Sequence, residues 1–157
     1  MKKIVVLLVF SASLISCKTG SEKTAQKNIA FYSKVWDIAI NEGKIDVLDT
    51  AYSTDIVLHT SPEIKGVVDA KAYYTNFVTG FSNREFIVKD MFAQGDKVTK
   101  YWQFKGTHTG TFMGIPATGK TIDIEGCTIA RIVNGKIVEE RDFMEIMSFL
   151  KQLGLIP

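Results

Sequence analysis

The stretch Gly106-Thr107-His108-Thr109-Gly110-Thr111-Phe112-Met113-Gly114-Ile115-Pro116-Ala117-Thr118-Gly119-Lys120-Thr121 decides how this chain folds. From Gly114 onward it satisfies G-x-x-x-x-G-K-[ST], the phosphate-loop pattern. Such a loop needs a strand before it and a helix after it, so that backbone N–H groups and the helix N-terminus can cradle phosphate. The next residues, Ile122-Asp123-Ile124-Glu125-Gly126-Cys127-Thr128-Ile129, alternate apolar and polar with the period of a strand. No βαβ context surrounds them. The stretch is therefore a long loop between two strands, and nucleotide binding is not expected.

The period of two extends in both directions from this loop. Phe86 to Ala93 and Lys97 to His108 flank Gly95-Asp96, a hairpin signal. Thr121 to Ile132 and Lys136 to Phe143 flank Val133-Asn134-Gly135, where Asn-Gly suits a tight turn that needs positive φ. The first half of the chain has helical spacing instead. Ile29, Tyr32, Val35, Trp36, Ala39 and Ile40 form one stripe from Ala25 to Gly43, and Ile45, Val47 and Leu48 suggest a short second helix. Val68 to Phe81 is predicted helical, with Tyr73, Phe77 and Phe81 on one side. Between these helices Asp55 to Thr60 is a candidate strand, with Ile56 and Leu58 on one face and Asp55, Val57 and His59 on the other. Helices followed by an antiparallel meander imply one α+β domain, its helices packed on one face of a curved sheet.

Composition narrows the function classes. Over 157 residues Lys+Arg is 19 and Asp+Glu is 17, and both excess charges are Lys2 and Lys3. A neutral remainder argues against nucleic acid, which is bound by clustered basic residues. Lys2-Lys3 followed by the apolar run from Ile4 to Phe10 reads as an export signal, too short to span a bilayer. Leu14-Ile15-Ser16-Cys17 is similar to the lipobox of bacterial lipoproteins. The expected organisation is a signal peptide over 1–16, a lipidated Cys17 with a flexible tether over 17–25, and the domain over 26–157. The expected location is the bacterial cell envelope, with the membrane reached through Cys17. Cys127, left without a partner, is expected to be a small core residue.

His59 and His108 are the only histidines. His108 has the strand parity of Val98, Trp102 and Phe104, which places it in the core or in a pocket wall. No ligand spacing for a metal is present. The acidic cluster Glu139, Glu140, Asp142 and Glu145 surrounds the end of the last strand. Alternation sets Val138, Glu140 and Asp142 on one face and Ile137, Glu139, Arg141 and Phe143 on the other, so at least one carboxylate shares a face with apolar residues. A carboxylate in an apolar hollow has its pKa raised, which suits proton transfer near neutral pH. Trp36, Tyr73, Phe77, Trp102 and Phe112 could line such a hollow or equally form plain core.

The run Gly106-Thr107-His108-Thr109-Gly110, with Phe112, Gly114-Ile115-Pro116 and Thr118-Gly119-Lys120, resembles the signature of the SnoaL-like polyketide cyclases, also called ester cyclases. Asn134-Gly135-Lys136-Ile137-Val138-Glu139 and Gln152-Leu153-Gly154-Leu155-Ile156-Pro157 match the same family's C-terminus. Trp36, Asn41-Glu42-Gly43, Asp55 with His59, Gly66 and Gly95-Asp96-Lys97-Val98 fall in family-like order. The resemblance implies the cone-shaped α+β fold of the nuclear transport factor 2-like superfamily, in which homodimers are common. It also implies cofactor-free intramolecular aldol chemistry. Glu145 or Asp142 would be the acid/base, His108 and His59 would polarise the carbonyl, and Trp36, Asp55, Tyr73, Phe77, Trp102 and Phe112 would hold the substrate. At the family's Trp and Asp positions this chain has Arg141 and Glu145, and Ala117 stands where the family has Pro. The resemblance leaves two functions open: a cyclase or isomerase acting on a small apolar carbonyl compound, or a non-catalytic binder of small apolar ligands.

Overall fold

A computed structural model describes the backbone from Val9 and the side chains from Gly20 through Pro157. Residues 1–8 of the export segment and the side chains through Thr19, that of Cys17 included, on which the lipid expectation rests, lie outside the described residues. Helix α1 (Val9–Trp36) passes without a break into a π-helical turn, Asp37–Asn41. Tyr32, Val35, Trp36, Ala39 and Ile40 of the predicted stripe are buried, and its first member, Ile29, is half-buried. The segment 20–24, expected as loose tether, is helical, and Thr24 Oγ1 donates to the Gly20 carbonyl at 3.0 Å. Gly43 ends the unit at φ +69°, a left-handed conformation that glycine adopts without strain.

The remaining elements are α2 (Val47–Ala51), β1 (Tyr52–Leu58), β2 (Ile64–Lys65), α3 (Val67–Gly80), β3 (Phe81–Gln94), β4 (Lys97–His108), β5 (Thr121–Val133), β6 (Lys136–Met144) and α4 (Ile146–Gln152). Phe81 opens a strand; the predicted third helix stops one residue earlier. The six strands form one sheet in the order β2-β1-β6-β5-β4-β3. Strands β3 to β6 make the antiparallel meander, but β1 pairs parallel with β6. That parallel pairing joins the two halves of the chain and places β6 inside the sheet. The phosphate-loop-like segment leaves β4 at His108 and rejoins at Thr121, where β5 begins. His108 N–H donates to the Lys120 carbonyl and Gly119 N–H to the His108 carbonyl, closing the loop at its neck.

Alternation sorts the sheet into two faces. On β4 the residues Val98, Lys100, Trp102, Phe104 and His108 are buried, and on β5 Ile122, Ile124, Thr128, Ala130 and Ile132 are buried. The opposite face exposes Phe92, Tyr101, Ile129 and Phe143. Cys127 lies on that outer phase and is half-buried, so it is not the core residue expected. Strand β6 breaks strict alternation. Ile132 pairs with Ile137 and Arg131 with Glu139, so Val138 is an extra residue, a β-bulge. The bulge lets Ile137, Glu140 and Asp142 all face inward although their numbers differ in parity.

Candidate functional site

The site begins with the pairing of three strands. Lys100 on β4 lies opposite Thr128 on β5, which lies opposite Asp142 on β6. These side chains form one row across the concave face, with neighbouring Cβ atoms about 5 Å apart. The next row holds Trp102, Gly126 and Met144. Gly126 is required there, because a Cβ at that position would overlap the Trp102 ring and come within 2.6 Å of the Phe143 carbonyl oxygen. With the space open, Trp102 Nε1 donates to Thr128 Oγ1 at 2.8 Å, and Thr128 Oγ1 donates to Asp142 Oδ1 at 2.5 Å.

The other half of the site comes from the helices and β1. Tyr74, on the buried side of α3, donates its hydroxyl to Asp142 Oδ2 at 2.8 Å and lies 3.4 Å from Glu140 Oε2. Tyr52, the first residue of β1, donates to Glu140 Oε2 at 2.5 Å, and Tyr32 of α1 donates to Glu140 Oε1. Each hydroxyl carries one proton, so the shorter Tyr74 contact is the bond made. Glu140 is only 1% exposed. Burial, reinforced by the negative charge of Asp142, pushes its carboxyl up from 4.5 to about 7, against the opposing pull of Lys100 and the tyrosine hydroxyls. Burial first, then the carboxylates, holds Tyr32, Tyr52 and Tyr74 well above the ordinary tyrosine range, so they stay protonated donors.

Between helices and sheet lies a cavity of ≈ 50 Å³. Trp36, Ile40, Tyr73, Phe77, Phe86, Phe104 and Met144 give it apolar walls. Its polar groups come from Tyr74, Lys100, Trp102, Thr128 and Asp142. Glu140 does not line it but stands behind, joined to Asp142 through the Tyr74 hydroxyl. Apolar walls with a few convergent polar groups are features that small-molecule sites share.

Of the residues expected at the site, Asp142, Trp36, Tyr73, Phe77 and Trp102 meet in this cavity. Phe112 does not line it. It is packed one ring behind, 4.9 Å from Phe77 and 5.2 Å from Phe81 between ring centres. His108 is fully buried away from the cavity, against Phe81, with Nδ1 3.1 Å from Thr118 Oγ1. The Thr118 N–H also donates to that Nδ1, so the ring pins the long loop. His59 sits on the outer surface, with Nδ1 3.0 Å from Glu63 and Nε2 3.5 Å from Glu139. Asp55 is exposed on β1. Glu145 is exposed where α4 begins and takes no part in the cavity, because β6 ends at Met144 and the chain turns outward there. Of the two carboxylates that the resemblance offers as acid/base, Asp142 lines the cavity and Glu145 does not. Sequence reasoning passed over Glu140 as a site residue, the three tyrosines and Lys100. The signal for Lys100 was present, since it shares parity with Val98, Trp102 and Phe104.

The class is set by comparison with known proteins. The family model of the SnoaL-like polyketide cyclases matches residues 27–153, and the chain belongs to that family. Over 121 residues it is 30% identical to the aklanonic acid methyl ester cyclase DnrD of Streptomyces peucetius, covering 74% of this chain and 83% of that protein. It is 31% identical over 123 residues to the corresponding cyclase DauD of Streptomyces sp. (strain C5), covering 74% and 75%. Among solved structures, TsrD from Streptomyces laurentii superposes with a TM-score of 0.76 at 22% identity, covering 83% of this chain and 97% of that one. The last likeness bears on the fold alone.

Proposed function

We propose that this chain binds a small, mainly apolar carbonyl compound in the cavity and moves a proton α to the carbonyl, closing a ring by intramolecular aldol addition. The observation that carries this is Asp142, a carboxylate on an apolar cavity with each oxygen held by one donor, Tyr74 or Thr128. A carboxylate fixed in this way aims its remaining lone pairs into the cavity and takes the α-proton as general base. The developing enolate oxygen needs a donor. The Trp36 indole N–H is buried near the Tyr32 hydroxyl, makes no hydrogen bond of normal geometry among the described residues and belongs to a cavity-lining side chain. Glu140, held up at about 7, is a second carboxyl that exchanges a proton near neutral pH through Tyr74. Aromatic walls fold the substrate so that the two reacting carbons meet, which is where most of the acceleration arises in such closures. The activity of the cyclase relatives supports the same reaction class.

The deciding experiment measures α-proton exchange and cyclisation of a model β-keto ester in wild type and Asp142→Asn. Exchange that survives the substitution overturns the reading. An apolar ligand that co-purifies, with no exchange in wild type, makes the chain a carrier instead. We further propose that Cys17 carries lipid and tethers the domain to the envelope, as the lipobox-like Leu14-Ile15-Ser16-Cys17 suggests.

A further inference from the structure

The strangest residue on the concave face is Lys100. It is 1% exposed on a strand whose other inward residues nearby are Val98, Trp102 and Phe104. An aliphatic side chain would fill that place without carrying a charge into the interior, which is costly unless the charge is paired. Among the described residues no carboxylate lies within ion-pair distance of its Nζ, and no hydrogen bond to it is made. Instead Nζ sits over aromatic faces, 3.9 Å from the Trp36 ring centre, 4.6 Å from Tyr32 and 4.9 Å from Phe86. It also lines the cavity, in the same row as Asp142. An amine on an apolar cavity, without a counter-ion and surrounded by π-faces, suits a group that must be neutral to react and cationic afterwards.

We propose that Lys100 is a nucleophilic amine that forms an imine with a carbonyl compound held in the cavity. The inference rests on the carbonyl-binding reading of the cavity above and adds a covalent step to it. The lone pair of neutral Nζ attacks the carbonyl carbon, the C–N bond forms, the carbonyl electron pair moves to oxygen, and one of the two nitrogen protons passes to that oxygen to give the neutral carbinolamine. Loss of that oxygen as water, with the proton supplied by a carboxyl of the Asp142–Glu140 pair, leaves the iminium. The iminium draws electrons from the α-carbon, and the Asp142 carboxylate accepts the α-proton to give an enamine. The enamine carbon then attacks the second carbonyl, and water returns the amine. No oxidant, reductant or further reactant is needed. Burial lowers the ammonium from 10.5 to about 8, against the pull of Glu140 and Asp142, so a fraction of Lys100 is neutral near physiological pH.

The test uses pentane-2,4-dione, a diketone that converts a reactive lysine into a stable conjugated enaminone. The purified chain is treated with it, followed by near-ultraviolet absorbance and intact mass, and the modified residue is mapped on peptides. The expected result is one diketone less one water per chain, on Lys100, forming at least about tenfold faster than on the exposed Lys97 and Lys136. Lys100→Arg keeps the charge and loses the adduct, and Lys100→Met also loses it. Labelling confined to surface lysines, or undiminished in Lys100→Arg, overturns the proposal. If neither variant folds, the wild-type map alone decides. Asp142→Asn is expected to lose α-proton exchange yet keep the adduct. If Lys100 is not labelled while Asp142-dependent exchange persists, the imine fails and the acid/base reading stands. If Lys100 is labelled and wild type shows no exchange, the acid/base reading fails and the amine stands.

Discussion

Glu140 and Asp142 stand two residues apart on one strand and share a single hydroxyl between them, that of Tyr74, at 3.4 and 2.8 Å. The pair is unequal. Asp142 faces the cavity and Glu140 is sealed behind it, so the charge on Asp142 raises the cost of a charge on Glu140. The proton that one carboxyl loses has a short path to the other.

Removing the cavity carboxylate is expected to be the most severe single change for chemistry. Asp142→Asn should lower turnover by about 10²- to 10⁴-fold, the range of a general base, with little effect on ligand affinity. Steady-state kinetics on a cyclising substrate, with binding followed separately by fluorescence of Trp36 and Trp102, checks the split.

The buried Glu140 gives stability a definite pH dependence. Its carboxyl lies at about 7 when folded and at 4.5 when unfolded, so between those values the folded chain holds a proton that the unfolded chain has lost. Stability from this group is therefore full below 4.5 and falls as pH rises to about 7, by at most about 3 kcal/mol. Glu140→Gln, neutral throughout, should flatten that window in urea midpoints measured against pH. A slope unchanged by the substitution counts against the assignment.

Gly126→Ala should act at a distance from any ligand. The added methyl displaces Trp102, and with it the donor that holds Thr128 against Asp142. Overpacking of this kind costs about 1–3 kcal/mol. The loss in turnover should exceed that of Thr128→Val, which removes the hydroxyl but leaves the indole in place.

His108→Ala should lower stability by about 2–4 kcal/mol through the void left against Phe81 and the freed loop, by analogy with other large-to-small core changes. Turnover per folded molecule should hardly change, because the ring is remote from the cavity. A loss of turnover at full stability would restore a catalytic role to it.

Membrane attachment is checked by detergent partition of Cys17→Ser, which should release the domain to the aqueous phase. Partition equal to wild type would remove the lipid from the account.

The period of two and its turns locate strands β3 to β6 to within a few residues, because Gly95-Asp96 and Asn134-Gly135 fix both hairpins locally. The alternation starts β3 at Phe86, yet the strand begins five residues earlier, since helix and strand adjoin at Gly80 and Phe81 without a loop. The aromatic side of the cavity is legible in Trp36, Tyr73, Phe77 and Trp102, which the periodicity groups on apolar faces, whereas alternation says only that some carboxylate of the acidic cluster shares a face with apolar residues. Which of the two candidate carboxylates reaches the cavity is not legible. Counting back from Gln152 puts Glu145 at the family's Asp position, but the strand ends at Met144 and leaves Glu145 exposed, while Asp142 lines the cavity. The tyrosines are illegible for a different reason. Tyr32, Tyr52 and Tyr74 look like ordinary core aromatics until the parallel pairing of β1 with β6 brings a carboxylate among them.

That pairing also sets when the site can exist. The hydrogen bonds from Tyr32 and Tyr52 to Glu140 span 108 and 88 residues of chain, that from Tyr74 to Asp142 spans 68, and the strand that bears both carboxylates is the last to emerge yet lies in the interior of the sheet. A growing chain on the ribosome holds an open seam between β1 and β5 until its final strand arrives. Long-range closures of this type are slow and leave strand edges bare while they wait. Any truncation before Lys136 would therefore yield a sheet split in two, prone to recruiting a stray strand from a neighbouring chain.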